Sequence, residues 1–430
     1  MRLKIDHVGK IEHGDFEFRG MTVIAGNNNT GKSTVGKTLF SVFNSLYGLT
    51  GKIEDERLKE KREAFSHAIG HIEFNTESGR KLTAIPLGRW FNWGQNIDLA
   101  NQDSFRKEFT QKLMELLQMP GVSTDAPEQV VSDVWHEISQ VDDVPESDII
   151  SILIERTFLP VFKDQVNSLL SNEPAEIELT IKDKKIRIGF DKNQCTNQEV
   201  PLVLLNKSLL IQTPESIKAL NYRPAYMGAH STPEDYLCKF LREGAKQSAV
   251  AEALTRKKLT RVNALLDEVI PGEILSNERG GFSYQEKGYS EELAVDNLST
   301  GLKSFALLSL LLSRGALSEK DVLILDEPEV HLHPEWQLKY AELVVLLEKI
   351  FDLTVLLTTH SPYFLRAIEM YSRKYGMEEL CDYYLASLND RGYAEFNHVN
   401  DRLESIYSEM AKPFSILNQM DDNIGSDNHE

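Results

Sequence analysis

Apolar and polar positions divide this chain into stretches of two different periods. Leu3, Ile5 and Val8 open a strand-like stretch, and Phe16 and Phe18 alternate with polar neighbours in a second. Met21-Thr22-Val23-Ile24-Ala25 is almost unbroken apolar sequence, as in a strand buried on both faces. Thr34 to Tyr47 then takes up helical spacing. Ile72–Phe74 and Leu82–Leu87 predict further strands around a Ser78-Gly79 turn, so residues 1–95 read as one β-rich lobe.

From about 96 to 220 the pattern changes to that of an inserted lobe or arm. Ser104–Met119 sets Phe105, Phe109, Leu113, Leu116 and Leu117 at helical spacing, and Pro127–Val141 and Asp148–Leu170 also predict helices. Ala175–Ile181 and Lys185–Phe190 predict a hairpin around Lys182-Asp183-Lys184, and Pro201–Ile211 another strand. No heptad pattern persists long enough for an extended coiled coil.

Residues 221–390 alternate strand and helix. Asn221–Gly228, Val322–Leu325 and Thr354–Thr358 predict strands; Pro233–Ile270, Ser299–Ser313 and Glu335–Ile350 predict helices. This alternation predicts an α/β fold with a parallel, doubly wound sheet, flanked by the β-layer of the first lobe. Residues 391–430 form a C-terminal segment whose acidic end, Asp421–Glu430, is expected to be disordered.

Composition narrows the setting. Cys195, Cys238 and Cys381 lie far apart with no C-x-x-C pair, which fits a reducing compartment. The longest apolar run, Phe305–Leu312, is too short to span a bilayer, and the N-terminus enters directly into strand-like sequence. The expectation is a soluble cytoplasmic protein without a membrane partner. A net charge of −19 repels phosphate backbones on average, so contact with nucleic acid is expected to be local or to come through a partner.

Candidate chemistry sits at the ends of the apolar strands. Gly26-Asn27-Asn28-Asn29-Thr30-Gly31-Lys32-Ser33 fits G-x-x-x-x-G-K-[ST], between a strand and a helix. Glycines let backbone N–H groups curl around phosphate oxygens, and a helix N-terminus adds partial positive charge. Asn27, Asn28, Asn29, Thr30, Gly31, Lys32, Ser33 and Thr34 are therefore the candidate nucleotide-binding residues. Lys32 would reach the β- and γ-phosphates, and the Ser33 hydroxyl would help hold Mg²⁺.

Val322-Leu323-Ile324-Leu325-Asp326-Glu327 ends a buried strand in two acids. Asp326 is placed to hold Mg²⁺, and Glu327 to orient and polarise an attacking water. Thr354–Ser361 is a second buried strand, ending in His360, a candidate sensor of the γ-phosphate. Asn297-Leu298-Ser299-Thr300-Gly301-Leu302-Lys303-Ser304 precedes an apolar helix. Ser299 is a good N-cap, and with the Gly301 N–H it could also form a second phosphate-binding helix terminus.

These motifs together resemble ATP-binding-cassette-type ATPases of the RecF, SMC and OLD branch. Gly26–Ser33 looks like Walker A, Val322–Glu327 like Walker B, Leu298–Gly301 like the signature and His360 like the switch histidine. Asp326–Pro334 and Thr359–Pro362 are close to this branch. The resemblance covers residues 1–95 and about 290–365 and leaves the insert uncovered. It implies ATP and Mg²⁺ as cofactors, catalytic roles for Glu327 and His360, and a metal-binding role for Ser33 and Asp326. It also implies two heads that sandwich two ATP molecules, with Ser299, Gly301 and Lys303 facing the nucleotide of the partner copy and Glu329–His333 at the seam. Thr300 and Leu302 depart from the glycine and glutamine of the transporter-type signature. The glutamine that senses Mg²⁺ in this family has Gln95 and Gln102 as candidates; Asn221–Gly228 resembles a core strand that leads towards the nucleotide in these ATPases, and Arg223 and His230 are candidates to reach the site.

The chain shows no transporter-like coupling region and is too short for SMC-type arms. OLD-type nucleases need a metal-binding Asp-x-Asp pair after the ATPase, and the 70 residues after His360 contain none. The chain looks like ATPase subunits of two-gene antiphage defence systems, Septu above all, with retron-associated and PARIS ATPases as relatives; Asn400–Leu417 shares in this likeness. The expected function is an ATPase that dimerises around ATP and serves as sensor and scaffold for a separate nuclease, of HNH type by resemblance. The alternatives are a RecF-like DNA-binding repair ATPase and an ATP-binding interaction platform with little hydrolysis.

Overall fold

The computed structural model describes residues 1–70, 73–75, 81–82, 107, 110–111, 114–115, 122–123, 127–220, 232–243, 249–276 and 282–427. It divides into two compact units, one formed by Met1–Tyr47 with Ser151–Glu430 and one by Gly48–Ile150.

The first unit is built on an eleven-stranded sheet. Its strands are β1 (Arg2–Val8), β2 (Ile11–Glu17), β3 (Met21–Gly26), β4 (Ala175–Ile181), β5 (Lys184–Asp191), β6 (Gln194–Glu199), β7 (Ser208–Ile211), β8 (Val322–Asp326), β9 (Thr354–Thr359), β10 (Cys381–Leu388) and β11 (Ala394–His398). The spatial order is β7-β8-β9-β3-β10-β11-β2-β1-β4-β5-β6. The first five strands in that order are mutually parallel, and β1, β2, β4, β5 and β6 pair antiparallel.

Sequence explains the division. Every residue of β3 is buried, as are the first four of β8 and the last five of β9, so these strands need helices on both faces. The helices Thr300–Ser313, Pro334–Phe351 and Pro362–Lys374 contribute Phe305, Leu311, Tyr340, Leu347, Phe364 and Ile368 to that core. Each begins at a cap: Ser299, His333 and Ser361 accept backbone N–H groups of the first turn, and the last two are followed by proline. In β4, by contrast, buried and less buried residues alternate.

The second unit contains the helices Leu49–Gly70 and Pro127–Asp143, tied by a 2.6 Å ion pair between Lys61 and Asp142, and a small sheet of Glu73–Asn75, Lys81–Leu82 and Val122–Ser123.

The antiparallel β-layer flanks the parallel core within one continuous sheet, joined where β11 pairs with β2. Several expectations are revised. The boundary of the inserted lobe shifts from 96–220 to Gly48–Ile150, because β4 and β7 are hydrogen-bonded into the large sheet. The helix expected over Asp148–Leu170 runs over Glu146–Phe162 and ends where Lys163 and Asp164 turn left-handed. Pro233–Ile270 resolves into three helices, Pro233–Glu243, Ala249–Lys258 and Thr260–Val269. The acidic end, expected to be disordered, is helical as far as Asp427, where it extends a helix begun at Glu404. The turn at Ser78-Gly79, most of Ser104–Met119 and Asn221–Gly228 lie outside the described residues. Among the described residues no helix is long and apolar enough to cross a membrane.

One buried acid makes stability depend on pH. Glu348, on the helix Pro334–Phe351, is 2% exposed and its Oε2 has no hydrogen-bond partner. Burial, reinforced by Asp352 and opposed by Lys349, pushes its carboxyl up to about 7. The folded state therefore holds a proton that the unfolded chain has released. Stability is full below the ordinary carboxylate range and falls as pH rises towards 7. Glu348→Gln is expected to stabilise the protein by about 2 kcal/mol at pH 8 and to flatten this decline. Thermal melts of both forms from pH 5 to 8 check it; a parallel pH dependence in the variant overturns it.

Candidate nucleotide site

Every candidate group of the first unit that the structure brings together lies beyond the carboxyl ends of β3, β8 and β9. Parallel strands direct their carboxyl ends to one edge of the sheet, where helix N-termini and open turns converge. Gly26 ends β3 at φ 154, in register with Ala386 on β10, and a Cβ there would run into the Ala386 carbonyl oxygen. Only glycine allows the loop to leave the strand this way. Asn29 and Gly31 take positive φ of 66 and 80, curling the loop before the helix Lys32–Leu46 starts.

Lys32 is 4% exposed, and its Nζ donates to the carbonyls of Gly26 at 2.9 Å and Asn27 at 2.7 Å. It also lies 3.3 Å from Glu327 Oε1. Thr30 ties the loop internally by donating to Asn27 O, and Lys10 donates to Asn29 Oδ1 at 2.8 Å. Asn27, Asn28 and Asn29 are exposed at the tip. Asn27 Nδ2 also donates to Glu409 Oε1 at 3.1 Å, so the C-terminal helix touches the loop.

The acids close the other side. Ser33 Oγ donates to Asp326 Oδ1 at 3.0 Å, and Thr358 Oγ1 donates to the same oxygen at 2.6 Å. A serine hydroxyl beside a carboxylate is a set of hard oxygen donors, which fits a small divalent cation such as Mg²⁺. Glu327 leaves β8 at φ 48, with its N–H donated to Thr358 Oγ1 at 2.9 Å. For a residue with a Cβ that conformation is strained, and here it aims the carboxylate between Lys32 and His360.

His360 Nδ1 lies 3.3 Å from Glu327 Oε2. This hydrogen bond raises the imidazole above its ordinary pKa and, with Lys32, lowers the Glu327 carboxyl below its own. Glu329 accepts from Thr359 Oγ1 at 2.6 Å and from the His360 N–H at 3.0 Å, which fixes the turn bearing His360. Glu329 is 1% exposed, and burial pushes its carboxyl upward.

The segment Leu298–Gly301, which resembles a signature motif, stands apart from this cluster. Ser299 is exposed at its helix N-cap and does not line the cleft around the loop. Gly301 packs so closely under the turn at Glu329–His333 that a Cβ would meet His331 O at 3.1 Å. Lys303 is turned inward: it is 4% exposed, with Nζ 3.1 Å from both carboxylate oxygens of Glu215. That geometry withdraws Lys303 from any phosphate outside the chain.

Gln212 was not singled out in the sequence. It follows β7 directly, and the register Ile211↔Leu325 sets it beside Asp326. The signal was an apolar strand, Ser208–Ile211, ending in a polar side chain. Gln95, Gln102, Arg223 and His230 lie outside the described residues.

The cleft has a volume of about 460 Å³, within the range of small-molecule sites. It runs from Glu327 and Lys32, past Thr34, to Gly9, Lys10, Leu169 and Leu170.

Residues 198–366 match the family model described as "AAA domain, putative AbiEii toxin, Type IV TA system". Solved structures similar to this chain include the SMC head domain from Thermotoga maritima, at 11% identity and TM-score 0.38 over 93% of this chain and 98% of that one. An SMC head bound to the C-terminal winged-helix domain of ScpA matches at 11% identity and TM-score 0.42, over 93% and 96%. An SMC head with an extended coiled coil, bound to the C-terminal domain of ScpA derived from Pyrococcus furiosus, matches at 10% identity and TM-score 0.36, over 97% and 98%. The strand order, the loop after β3 and the acids after β8 make a mixed α/β fold built on one large sheet with a parallel core.

Proposed function

We propose that this chain is an ATPase that dimerises around ATP and acts as sensor and regulatory scaffold for a separate effector nuclease in antiphage defence. One observation carries the reading. Lys32, Ser33 and Glu327 line one cleft, Asp326 accepts from Ser33 and His360 meets Glu327, while Ser299 stands exposed outside it. A cleft equipped for phosphate, metal and water, yet lacking its signature serine, is one half of a composite site.

In this reading the N–H groups from Asn27 to Thr34 and the Lys32 ammonium bind the triphosphate. Ser33 and Asp326 would hold Mg²⁺, which would supply positive charge against the phosphates. Glu327 orients the attacking water and accepts its proton, and His360 donates a hydrogen bond to the γ-phosphate. Gln212, beside Asp326, takes the place left open for the metal-sensing glutamine. Ser299 and the Gly301 N–H complete the site of a second copy; Lys303 serves its own chain through Glu215. The description of the matching family, a toxin of a type IV toxin–antitoxin system, supports a protein that works as one member of a two-component system. The nuclease is assigned to the other member, with HNH chemistry favoured. The acidic charge favours nucleic-acid contact through that partner, and a cytoplasmic location goes with it.

The test uses two defective copies. Lys32→Ala and Ser299→Arg are each expected to be inactive alone. Mixed together with ATP they should recover part of the wild-type turnover, because one site of the mixed dimer is intact. Sedimentation should show ATP-dependent association of the wild type. No recovery, with a size that ignores ATP, removes the composite site. Phage plating on cells carrying this gene with and without its neighbouring gene tests the defence role; equal plating on all strains removes it.

A further inference from the structure

The cleft has an end that the triphosphate reading leaves unassigned. Lys32, Ser33 and Glu327 define the γ-phosphate end, and Thr34 continues along the helix. Beyond Thr34 the lining passes to Gly9, Lys10, Leu169 and Leu170. Gly9 is close to Thr34, since a Cβ on Gly9 would lie 3.4 Å from Thr34 Cγ2.

The two leucines are unusual in being both exposed and held in place. Leu169 is 81% exposed and Leu170 47% exposed. Exposed leucines on a loose loop would mean little, but this loop is tied at nearly every residue. Val166 O accepts from Gly9 N at 3.0 Å, and Ser168 N donates to His7 O at 2.8 Å. Val166 N and Asn167 N both donate to Asn193 Oδ1, and Asn193 N donates back to Asn167 Oδ1 at 2.8 Å. Leu170 N donates to Ser168 Oγ, and Leu170 O accepts from Tyr393 OH at 2.7 Å. The backbone is thus ordered before any ligand arrives, so apolar surface presented there can be covered without a further loss of chain entropy.

We infer that Leu169 and Leu170 form the platform for the nucleobase, resting on the nucleotide reading proposed above. Leucine offers contact area but no donor or acceptor, so the platform recognises a flat apolar face and not the hydrogen-bonding edge of a base. The helix Glu146–Phe162 ends before the leucines because the left-handed turn at Lys163-Asp164 redirects the chain towards β1, and this sets them beside Gly9.

The experiment is calorimetric titration of the full chain with Mg²⁺–ATP and, separately, with inorganic tripolyphosphate. Because both leucines are exposed, the double variant Leu169→Ser/Leu170→Ser leaves the fold in place, which a thermal melt verifies. It is expected to weaken ATP about tenfold, the loss of roughly one side chain's burial, and to leave tripolyphosphate affinity unchanged. Leu169→Met/Leu170→Met, which keeps the apolar area, is expected to bind ATP as the wild type does. ATP affinity within twofold of wild type in the serine variant, or a parallel loss for tripolyphosphate, overturns the platform and leaves the phosphate loop standing. A wild type that binds neither ATP nor tripolyphosphate overturns both readings.

Discussion

Lys32→Ala is expected to abolish measurable ATP binding while the protein remains folded. The Lys32 ammonium is buried against the loop, donating to Gly26 O and Asn27 O, and it faces Glu327 across 3.3 Å. It is therefore held where a phosphate bound by the surrounding N–H groups would meet it. Charge-assisted hydrogen bonds to phosphate are worth about 2–3 kcal/mol each, so losing two of them weakens binding at least ~10²-fold. The cost to stability is smaller, about 1 kcal/mol, because the freed carbonyls belong to a loop whose tip is open to water. Glu327 also loses one of the charges that depress its carboxyl and moves back towards its ordinary value, though the hydrogen bond from His360 remains. Titration calorimetry with Mg²⁺–ATP, beside a thermal melt, checks the outcome. A folded variant with full affinity would mean that the nucleotide binds elsewhere.

What could be read from the sequence was local, and what could not was made by pairings across long separations. Gly26–Ser33 and Val322–Glu327 were legible because strand, turn and chemistry follow one another without a break. The same holds for Ser299 as an N-cap, a role it fills with Leu302 N. Gln212 was not legible: only the parallel register of β7 with β8, over a hundred residues later, sets it beside Asp326. Glu409 reaches Asn27 across 382 positions, and no pattern of periods predicts that contact. Lys303 looked like part of the signature because of its position. Its inward turn depends on Glu215, on the 3-10 helix after β7. The leucines of the cleft were hidden by a helical pattern that runs on past Phe162, since periodicity does not register a left-handed turn at Lys163. Glu329 was picked out only by resemblance, in the segment Glu329–His333, and not as a buried carboxylate that holds Thr359 and the His360 N–H.

Glu327→Gln is expected to keep ATP bound, to lower turnover at least ~10²-fold, and to leave the proposed ATP-bound dimer intact. Glutamine keeps the size of the side chain and an oxygen for Lys32, but it cannot take a proton from water. The change also disconnects a coupled pair. In the wild type the Glu327 carboxyl is lowered from 4.5 and the His360 imidazole raised from 6.5, each chiefly through the hydrogen bond to the other. The contribution of Glu327 is complete above its ordinary pKa and is lost as pH falls through its depressed one. The contribution of His360 is complete below its ordinary pKa and is lost as pH rises through its raised one. The ion pair is therefore at full strength between about pH 4.5 and 6.5 and weakens on either side. With glutamine in place the imidazole should titrate lower, because only Glu329, 3.8 Å away, still favours its charged form. Three measurements separate the roles: phosphate release, sedimentation with ATP, and NMR titration of His360. Wild-type turnover with unchanged association would show that Glu327 is not the group that activates water. Lost turnover with an unmoved His360 titration would show that the two side chains act independently. A downward shift of the imidazole is the outcome that the geometry around Glu327 and His360 requires.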